Sequence, residues 1–105
     1  MTSVRNATDL HRYEIEEDGT LAGFTEYVDK GGQRIFFHTE IGEEFGGRGL
    51  ASTLIREALT DAVSAGLRIV PICSFVARYV GKHDDFADSV DAVTPETEQA
   101  VKERS

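Results

Sequence analysis

Two parts of this sequence differ in how apolar and polar positions alternate. In the first part, three segments have strand length: 11–16 is short and mixed, 21–28 carries Phe24 and Tyr27 among smaller residues, and 34–41 is rich in β-branched and aromatic residues. Asp18-Gly19 and Asp29-Lys30-Gly31-Gly32 separate them, and glycine supplies the positive φ that tight hairpin turns require. These segments are therefore predicted to form an antiparallel meander of three strands.

In the second part, apolar residues recur at helical spacing. Over residues 50–65 this spacing predicts an amphipathic helix of about four turns. Gly66 follows at the position of a helix-ending residue in the left-handed conformation. Residues 67–72 are predicted to be a short apolar strand, in which Pro71 marks an edge, a bulge or the departure of the strand from its neighbour. The apolar positions of the helix are Ala51, Leu54, Ile55, Ala58 and Ala62.

The C-terminal part contains shorter helical signals. Residues 74–80 are predicted to be a helix capped by Ser74, and Thr94-Pro95-Glu96 has the cap-then-proline pattern of a helix start. We expect a single domain with a core at about 11–90 and a polar tail at 91–105, in which Thr94-Pro95-Glu96 can start a short helix. The order strands, helix, strand, helix predicts an α/β (α+β) fold whose mostly antiparallel mixed sheet contains one crossover helix.

Charge and composition narrow the classes of function. The 105 residues include 19 acidic and 11 basic side chains, and the formal net charge is −8. This balance argues against non-specific nucleic-acid binding and would favour cationic substrates such as amines, although an acidic surface that only promotes solubility is the better explanation of it. The single cysteine excludes an internal disulfide, and no segment resembles a signal peptide or a membrane span, so a cytoplasmic protein is expected. The three histidines and the cysteine lack metal-ligand spacing, and no metal site is expected.

The loop before the long predicted helix is the clearest candidate for chemistry. Gly46, Gly47 and Gly49 permit a backbone path that points successive N–H groups outward. The first helical turn adds unpaired N–H groups and the partial positive charge of the helix dipole, which together can hold phosphate oxygens without a lysine. The Walker pattern and the dinucleotide fingerprint are both absent. The alternative is a turn that only redirects the chain.

Gly46-Gly47-Arg48-Gly49-Leu50-Ala51 resembles the cofactor loop of the GNAT N-acetyltransferases, written Arg/Gln-x-x-Gly-x-Gly/Ala. Gly49 and Ala51 match that motif, whereas Gly46 replaces the first Arg or Gln. Two flanking segments, His38-Thr39-Glu40 and Pro71-Ile72-Cys73-Ser74-Phe75-Val76-Ala77-Arg78-Tyr79, are similar to those of short single-domain GNAT-like proteins, which carry His-Thr-Glu before the loop and Pro-x-Cys-x-Phe-Val-x-x-Tyr after the helix.

The resemblance implies a V-shaped gap between splayed fourth and fifth strands. Acetyl-CoA is expected in this gap, with its pyrophosphate on the loop amides and its pantetheine paired with strand backbone. The N-terminal part lacks the helices that precede the second strand in full-size relatives and help to build the acceptor site. The cofactor-binding residues implied are Ile41, Gly46, Gly47, Arg48, Gly49, Leu50, Ala51, Cys73 and Tyr79.

Acetyl transfer to an amine needs a deprotonated nucleophile, a polarised thioester carbonyl and an acid for the leaving thiolate. Tyr79 matches the tyrosine that is the acid in many GNAT enzymes; the alternative is a half-buried aromatic that anchors its helix. Cys73 can carry the acetyl group, line the thioester site or only fill the core. His38 and Glu40 share one strand face, where they can accept a proton or form a solvent-facing polar ladder.

Two functions from different classes follow. The favoured one is an acetyltransferase that moves acetyl from acetyl-CoA to an unidentified amine, a small molecule or a protein, by direct attack or through Cys73. The other is a CoA- or acyl-CoA-binding module without efficient turnover. A monomer or a homodimer is expected in either case.

Overall fold

Five strands form one sheet in which sequence order is also spatial order. The first four are antiparallel neighbours, and the fifth is parallel to the fourth. The computed structural model describes residues 1–104, and its mostly antiparallel mixed sheet confirms the predicted fold class. The strands are β1 (Thr2–Ala7), β2 (Arg12–Glu17), β3 (Thr20–Lys30), β4 (Gln33–Ile41) and β5 (Arg68–Pro71).

Three helices cover the sheet: α1 (Leu50–Ser64), α2 (Ser74–Lys82) and α3 (Pro95–Lys102). The crossover from β4 to its parallel neighbour β5 is α1, as predicted, and Gly66 beyond its end has φ +81°. A 3₁₀ segment, Asp84–Ser89, follows α2. The buried face of α1 consists of Leu50, Leu54, Ile55, Ala58, Leu59 and Ala62.

No sequence signal predicted β1. Its residues are polar except for Val4 and Ala7, and half of them are exposed, so they show no clear apolar alternation. The strand forms because its backbone pairs with β2 along its whole length, from Thr2 opposite Glu17 to Ala7 opposite Arg12. Within residues 1–104, a single 3₁₀ turn, Thr8–Leu10, connects these two strands, and no α-helix lies between them.

The C-terminal helix α3 packs on the sheet face opposite α1. It begins with a capping box in which the hydroxyl of Thr94 accepts from the amide of Thr97 and the hydroxyl of Thr97 accepts from the amide of Thr94. Ala100 is buried there against Ile35 and Val70. Residues on both sides of the predicted core range of 11–90 therefore take part in the packing.

Two buried charged residues of the sheet are paired. The carboxylate of Glu14 accepts hydrogen bonds from Arg5 (2.7 Å) and Arg12 (2.8 Å). Burial raises the pKa of Glu14, but the two arginines lower it by more, and the net pKa is below its ordinary value. The guanidinium of Arg34 donates to Asp29 and to the hydroxyl of Tyr13. These partners compensate the cost of burying charge.

Candidate active site

A gap opens between β4 and β5 because the two strands are paired over only the first half of β4. Residues 33–36 pair with Arg68–Pro71, and the last link is a bond from the amide of Cys73 to the carbonyl of Phe36, at 2.9 Å. Among residues 1–104, no backbone hydrogen bond joins residues 37–41 to the chain beyond Cys73. Pro71, which has no N–H to donate, ends β5 where the strands diverge.

The glycine-rich loop joins the end of β4 to the first turn of α1. Gly47 and Gly49 have φ of +78° and +73°, in the left-handed region that L-residues adopt only with strain. Gly49 is the N-cap of α1, and no side chain caps the helix. A Cβ atom built at Gly47 or Gly49 would meet no heavy atom within 4 Å. The backbone on this side of the loop is therefore open to a ligand.

The loop amides fit the binding of phosphate oxygens. Within residues 1–104, the N–H groups of Gly47, Arg48 and Gly49 donate to no acceptor. The N–H groups of the first helical turn, which starts at Leu50, have no intrahelical partner either. No acidic residue lies in that turn, so the partial positive charge at the helix start is not neutralised locally. Unpaired donors and open space together suit the oxygens of a phosphate group.

The side chain of Arg48 is directed at the loop itself. Its guanidinium lies 5.5 Å from the ring centroid of Phe45, and its charge lowers the pKa of Asp18, together with the larger effect of the N-terminal ammonium group. Arg48 thus contributes a backbone amide to the loop surface, while its guanidinium packs on an aromatic ring. Gly46 has no side chain to add, so the loop presents main-chain donors.

Cys73 lies at the point of divergence, where it is the N-cap of α2. Ser74, predicted to be the cap, is instead the first helical residue, and no side chain caps this helix. The Cys73 side chain is buried, and its thiol donates a hydrogen bond to the hydroxyl of Thr39 at 3.1 Å. The Thr39 hydroxyl also bonds with that of Thr25, at 2.9 Å. The thiol therefore lies within a small buried polar cluster.

Tyr79 lies one and a half turns farther along α2, beside a groove of about 230 Å³ between α1 and α2. The residue is 9% exposed. Its hydroxyl has no hydrogen-bond partner among residues 1–104. Because every buried side-chain N or O atom of those residues does have a partner, the hydroxyl of Tyr79 is not buried and reaches accessible space. The ring of His83 packs on that of Tyr79, with centroids 4.3 Å apart. The groove is lined by Ala51, Ser52, Ile55, Phe75, Arg78, Tyr79, Lys82 and His83.

His38 and Glu40 are on the other face of the sheet. The register between β3 and β4 shifts at Phe37, which is left without a partner. After this bulge Thr39 points toward Cys73, and its neighbours His38 and Glu40 consequently point the opposite way. Their side chains are about half exposed and bonded to each other, with His38 Nε2 and Glu40 Oε2 2.8 Å apart.

The structure thus brings the predicted residues together in two groups, one on each face of the sheet. The loop, Cys73 and Tyr79 are on the face that carries α1 and α2. His38 and Glu40 border the gap between β4 and β5 from the opposite face. Ile41, partly buried, packs against the main core at the end of β4. Sequence reasoning missed Thr39 as the partner of Cys73, because a contact between residues 34 apart has no local signal.

Other features of the described residues lie apart from these groups. A cavity of about 580 Å³ beside α3 includes Glu26, Phe37 and Arg104 and contains none of the predicted site residues. Within residues 1–104, no three His, Cys, Asp or Glu side chains are grouped as ligands of a metal ion would be. No helix formed by those residues has both the length and the apolar character needed to cross a membrane.

A splayed mixed sheet, with a glycine-rich loop at the start of its crossover helix, defines the N-acetyltransferase class of fold. Residues 12–89 match the family model of the GCN5-related N-acetyl-transferases. The chain therefore belongs to this family, and the resemblance inferred from its motifs is confirmed. Its enzyme class is that of an acetyltransferase.

Comparison with solved structures agrees on the fold. The chain is similar to the solution structure of a GCN5-like candidate N-acetyltransferase from Staphylococcus aureus, with a TM-score of 0.66. The match covers 89% of this chain and 91% of that chain, at 19% sequence identity. At this identity the match establishes the fold alone. No curated protein sequence matches the chain significantly.

Proposed function

We propose that the protein binds acetyl-CoA and transfers its acetyl group to a primary amine. The observation that carries the proposal is the uncapped start of α1, where unpaired loop amides border the gap between β4 and β5. The amides of Gly47, Arg48 and Gly49, with those of Leu50 and Ala51, would hold the pyrophosphate. The unpaired backbone of residues 37–41, which ends at Ile41, offers hydrogen bonds to the pantetheine amides. Membership of the family supports both assignments.

The gap gives the two substrates access from opposite faces. Acetyl-CoA would enter from the face of α1 and α2, where the loop and Tyr79 lie. The amine would approach from the face of His38 and Glu40, where the side chains are exposed and carry the charge that attracts a cation. The overall charge of −8 is consistent with a cationic acceptor.

In the proposed reaction the amine nitrogen attacks the thioester carbonyl, a C–N bond forms and the C–S bond breaks. An acceptor that arrives as an ammonium ion first loses one proton to solvent, and the attacking nitrogen then loses a second one to His38 or Glu40, directly or through water, while Tyr79 donates one proton to the leaving thiolate. The products are an acetamide and CoA with a free thiol, and Tyr79 is reprotonated from solvent. The accessible, unpartnered hydroxyl of Tyr79 supports this role.

Direct attack is the route that the surroundings of Cys73 favour. Its side chain is 7% exposed, and its thiol donates a hydrogen bond to Thr39. A covalent acetyl-cysteine would need this thiol to lose both its proton and its hydrogen bond. We therefore assign Cys73 to the wall of the thioester site.

A CoA- or acyl-CoA-binding module without efficient turnover is the second candidate. It is supported by the short turn at Thr8–Leu10, because only this turn lies where an acceptor-binding helix would stand between β1 and β2. The two candidates share the cofactor site and differ in whether an amine is acetylated. For either one, we retain the sequence-based expectations of a cytoplasmic protein and of a monomer or homodimer.

Calorimetric titration with acetyl-CoA tests the shared part of the proposal. Binding is expected, and Gly49→Glu should abolish it because a carboxylate would enter the open side of the loop. If the unmodified protein does not bind acetyl-CoA, both candidate functions are wrong.

Incubation with labelled acetyl-CoA and a panel of amines separates the two candidates. Label is expected in an amine and not on Cys73, as read by mass spectrometry. Transfer that is lost in Cys73→Ala, with acetylated Cys73 in the unmodified protein, would contradict direct attack. Absence of transfer to every amine would favour the binding module.

A further inference from the structure

The groove between α1 and α2 concentrates positive charge in an acidic protein. Arg78 and Lys82 line it from α2, four residues apart and therefore on one side of the helix, and His83 lines it just beyond the end of that helix. Ser52, from the first turn of α1, lines the opposite wall, so the groove is continuous with the start of that helix. No Asp or Glu lines the groove.

The two cations of the groove, Arg78 and Lys82, have no partner among the described residues. Within residues 1–104, neither Arg78 nor Lys82 forms an ion pair or a side-chain hydrogen bond, and both are exposed. Most other basic side chains form ion pairs. Such pairs form easily because the 19 acidic residues outnumber the 11 basic ones. The paired ones are Arg5, Arg12, Lys30, Arg34, Arg56 and Arg68.

The loop itself supplies no side-chain cation to the groove. Gly46 has no side chain, and the guanidinium of Arg48 packs on Phe45. A highly charged phosphate is bound most tightly where full positive charges supplement backbone N–H groups. The Arg and Lys side chains that line the groove, Arg78 and Lys82, both come from α2.

We propose that Arg78 and Lys82 bind a phosphate group of CoA and add the positive charge of two α2 side chains to the backbone donors of the loop. The inference rests on the proposed binding of acetyl-CoA and goes beyond it, because it assigns affinity for the nucleotide end of the ligand to α2. CoA carries two phosphate-bearing parts, the pyrophosphate and the phosphate monoester on the ribose. Both have the chemistry that this pair of cations recognises.

Charge-removing variants with a matched control test the assignment. Arg78→Gln and Lys82→Gln should each raise the dissociation constant for acetyl-CoA about three- to tenfold, and the double variant should be weaker than either. Lys102→Gln removes an exposed, unpaired cation from α3, and it should bind acetyl-CoA within twofold of the unmodified protein. All three residues are exposed and hold no partner, and Lys82 and Lys102 each lie in the last turn of a helix, so the melting temperatures should fall by no more than a few degrees.

Two truncated ligands identify which phosphate is bound. If the losses disappear with 3′-dephospho-acetyl-CoA, the cations bind the ribose phosphate. If the losses persist with that ligand and disappear with acetyl-pantetheine, they bind the pyrophosphate. Binding by the double variant should also depend less steeply on salt concentration.

The proposal is overturned if the double variant binds acetyl-CoA within twofold of the unmodified protein, or if Lys102→Gln weakens binding as much as Arg78→Gln does. Failure of the proposed function gives a different result. In that case the unmodified protein itself would not bind acetyl-CoA, and the present inference would be wrong with it.

Discussion

Replacement of Gly49 by alanine separates the role of the loop in binding from its role in folding. Gly49 has φ +73° and ψ 13°, a conformation that costs an alanine about 1–2 kcal/mol. Its Cβ would meet no heavy atom within 4 Å, so no steric cost is added. Gly66, at the other end of α1, has φ +81° and equally open surroundings. Gly66→Ala is therefore a matched control for backbone strain.

Both variants should lose about 1–2 kcal/mol of unfolding free energy. In a domain of this size, 1 kcal/mol lowers the melting temperature by about 4–8 °C. Only Gly49→Ala should weaken acetyl-CoA binding, because its methyl group would occupy the open side of the proposed phosphate cradle. We expect the dissociation constant to rise about tenfold or more, which corresponds to about 1.4 kcal/mol. Gly66→Ala should bind as the unmodified protein does.

Thermal unfolding followed by circular dichroism gives the stabilities, and calorimetric titration at a temperature where all three proteins are folded gives the affinities. If Gly49→Ala binds acetyl-CoA as tightly as Gly66→Ala does, the loop is not the phosphate cradle. The reasoning about strain is refuted separately if neither variant is less stable than the unmodified protein.

Three further predictions concern single side chains. Tyr79→Phe should lower kcat about 100-fold while leaving the affinity for acetyl-CoA and the melting temperature unchanged; an unchanged kcat would make Tyr79 only a helix anchor. Glu14→Gln should lower the unfolding free energy at pH 7 by about 1–2 kcal/mol. The folded-state pKa of Glu14 is below its ordinary value of 4.5, so its stabilisation is present above pH 4.5 and is lost as the pH falls below it. Urea unfolding at pH 7 and pH 3 would show this, and a difference that persists at pH 3 would rule out the ion pairs as its cause. Thr94→Ala should cost about 1 kcal/mol by removing the cap of α3, measured as a lower melting temperature and faster amide exchange in that helix; unchanged exchange would show that the cap is dispensable.

Local conformational preferences explain what could be predicted about the fold. Gly66 ends α1 because a glycine adopts positive φ without strain, and Thr94-Pro95 starts α3 because cap and proline suit the first helical turn. The apolar stripe of residues 50–65 predicts both the helix and the face that it buries. The order of motifs around Gly49 was sufficient to indicate the family.

β1 and the exact start of α2 could not be predicted, since neither depends on a local preference. β1 is a polar segment that becomes a strand only because β2 offers a pairing edge. Ser74 is a good capping residue in isolation, but the amide of Cys73 is bonded to Phe36 and Cys73 is itself the N-cap, so the helix begins at Ser74, one residue earlier than expected.

In the candidate site too, some features follow from local sequence and others only from the folded structure. By itself, the sequence determined the glycine loop, the helix behind it and the presence of Cys73, Tyr79, His38 and Glu40, since these follow from residue type and order. Only the tertiary structure decided which of them face one another. The bulge at Phe37 shifts the alternation of β4 and directs His38 and Glu40 away from Cys73, because the register of a strand is set by its neighbour. The packing of α2 against α1 likewise directs Arg78 and Lys82 into one groove, and contacts between separate helices leave no local pattern in the chain.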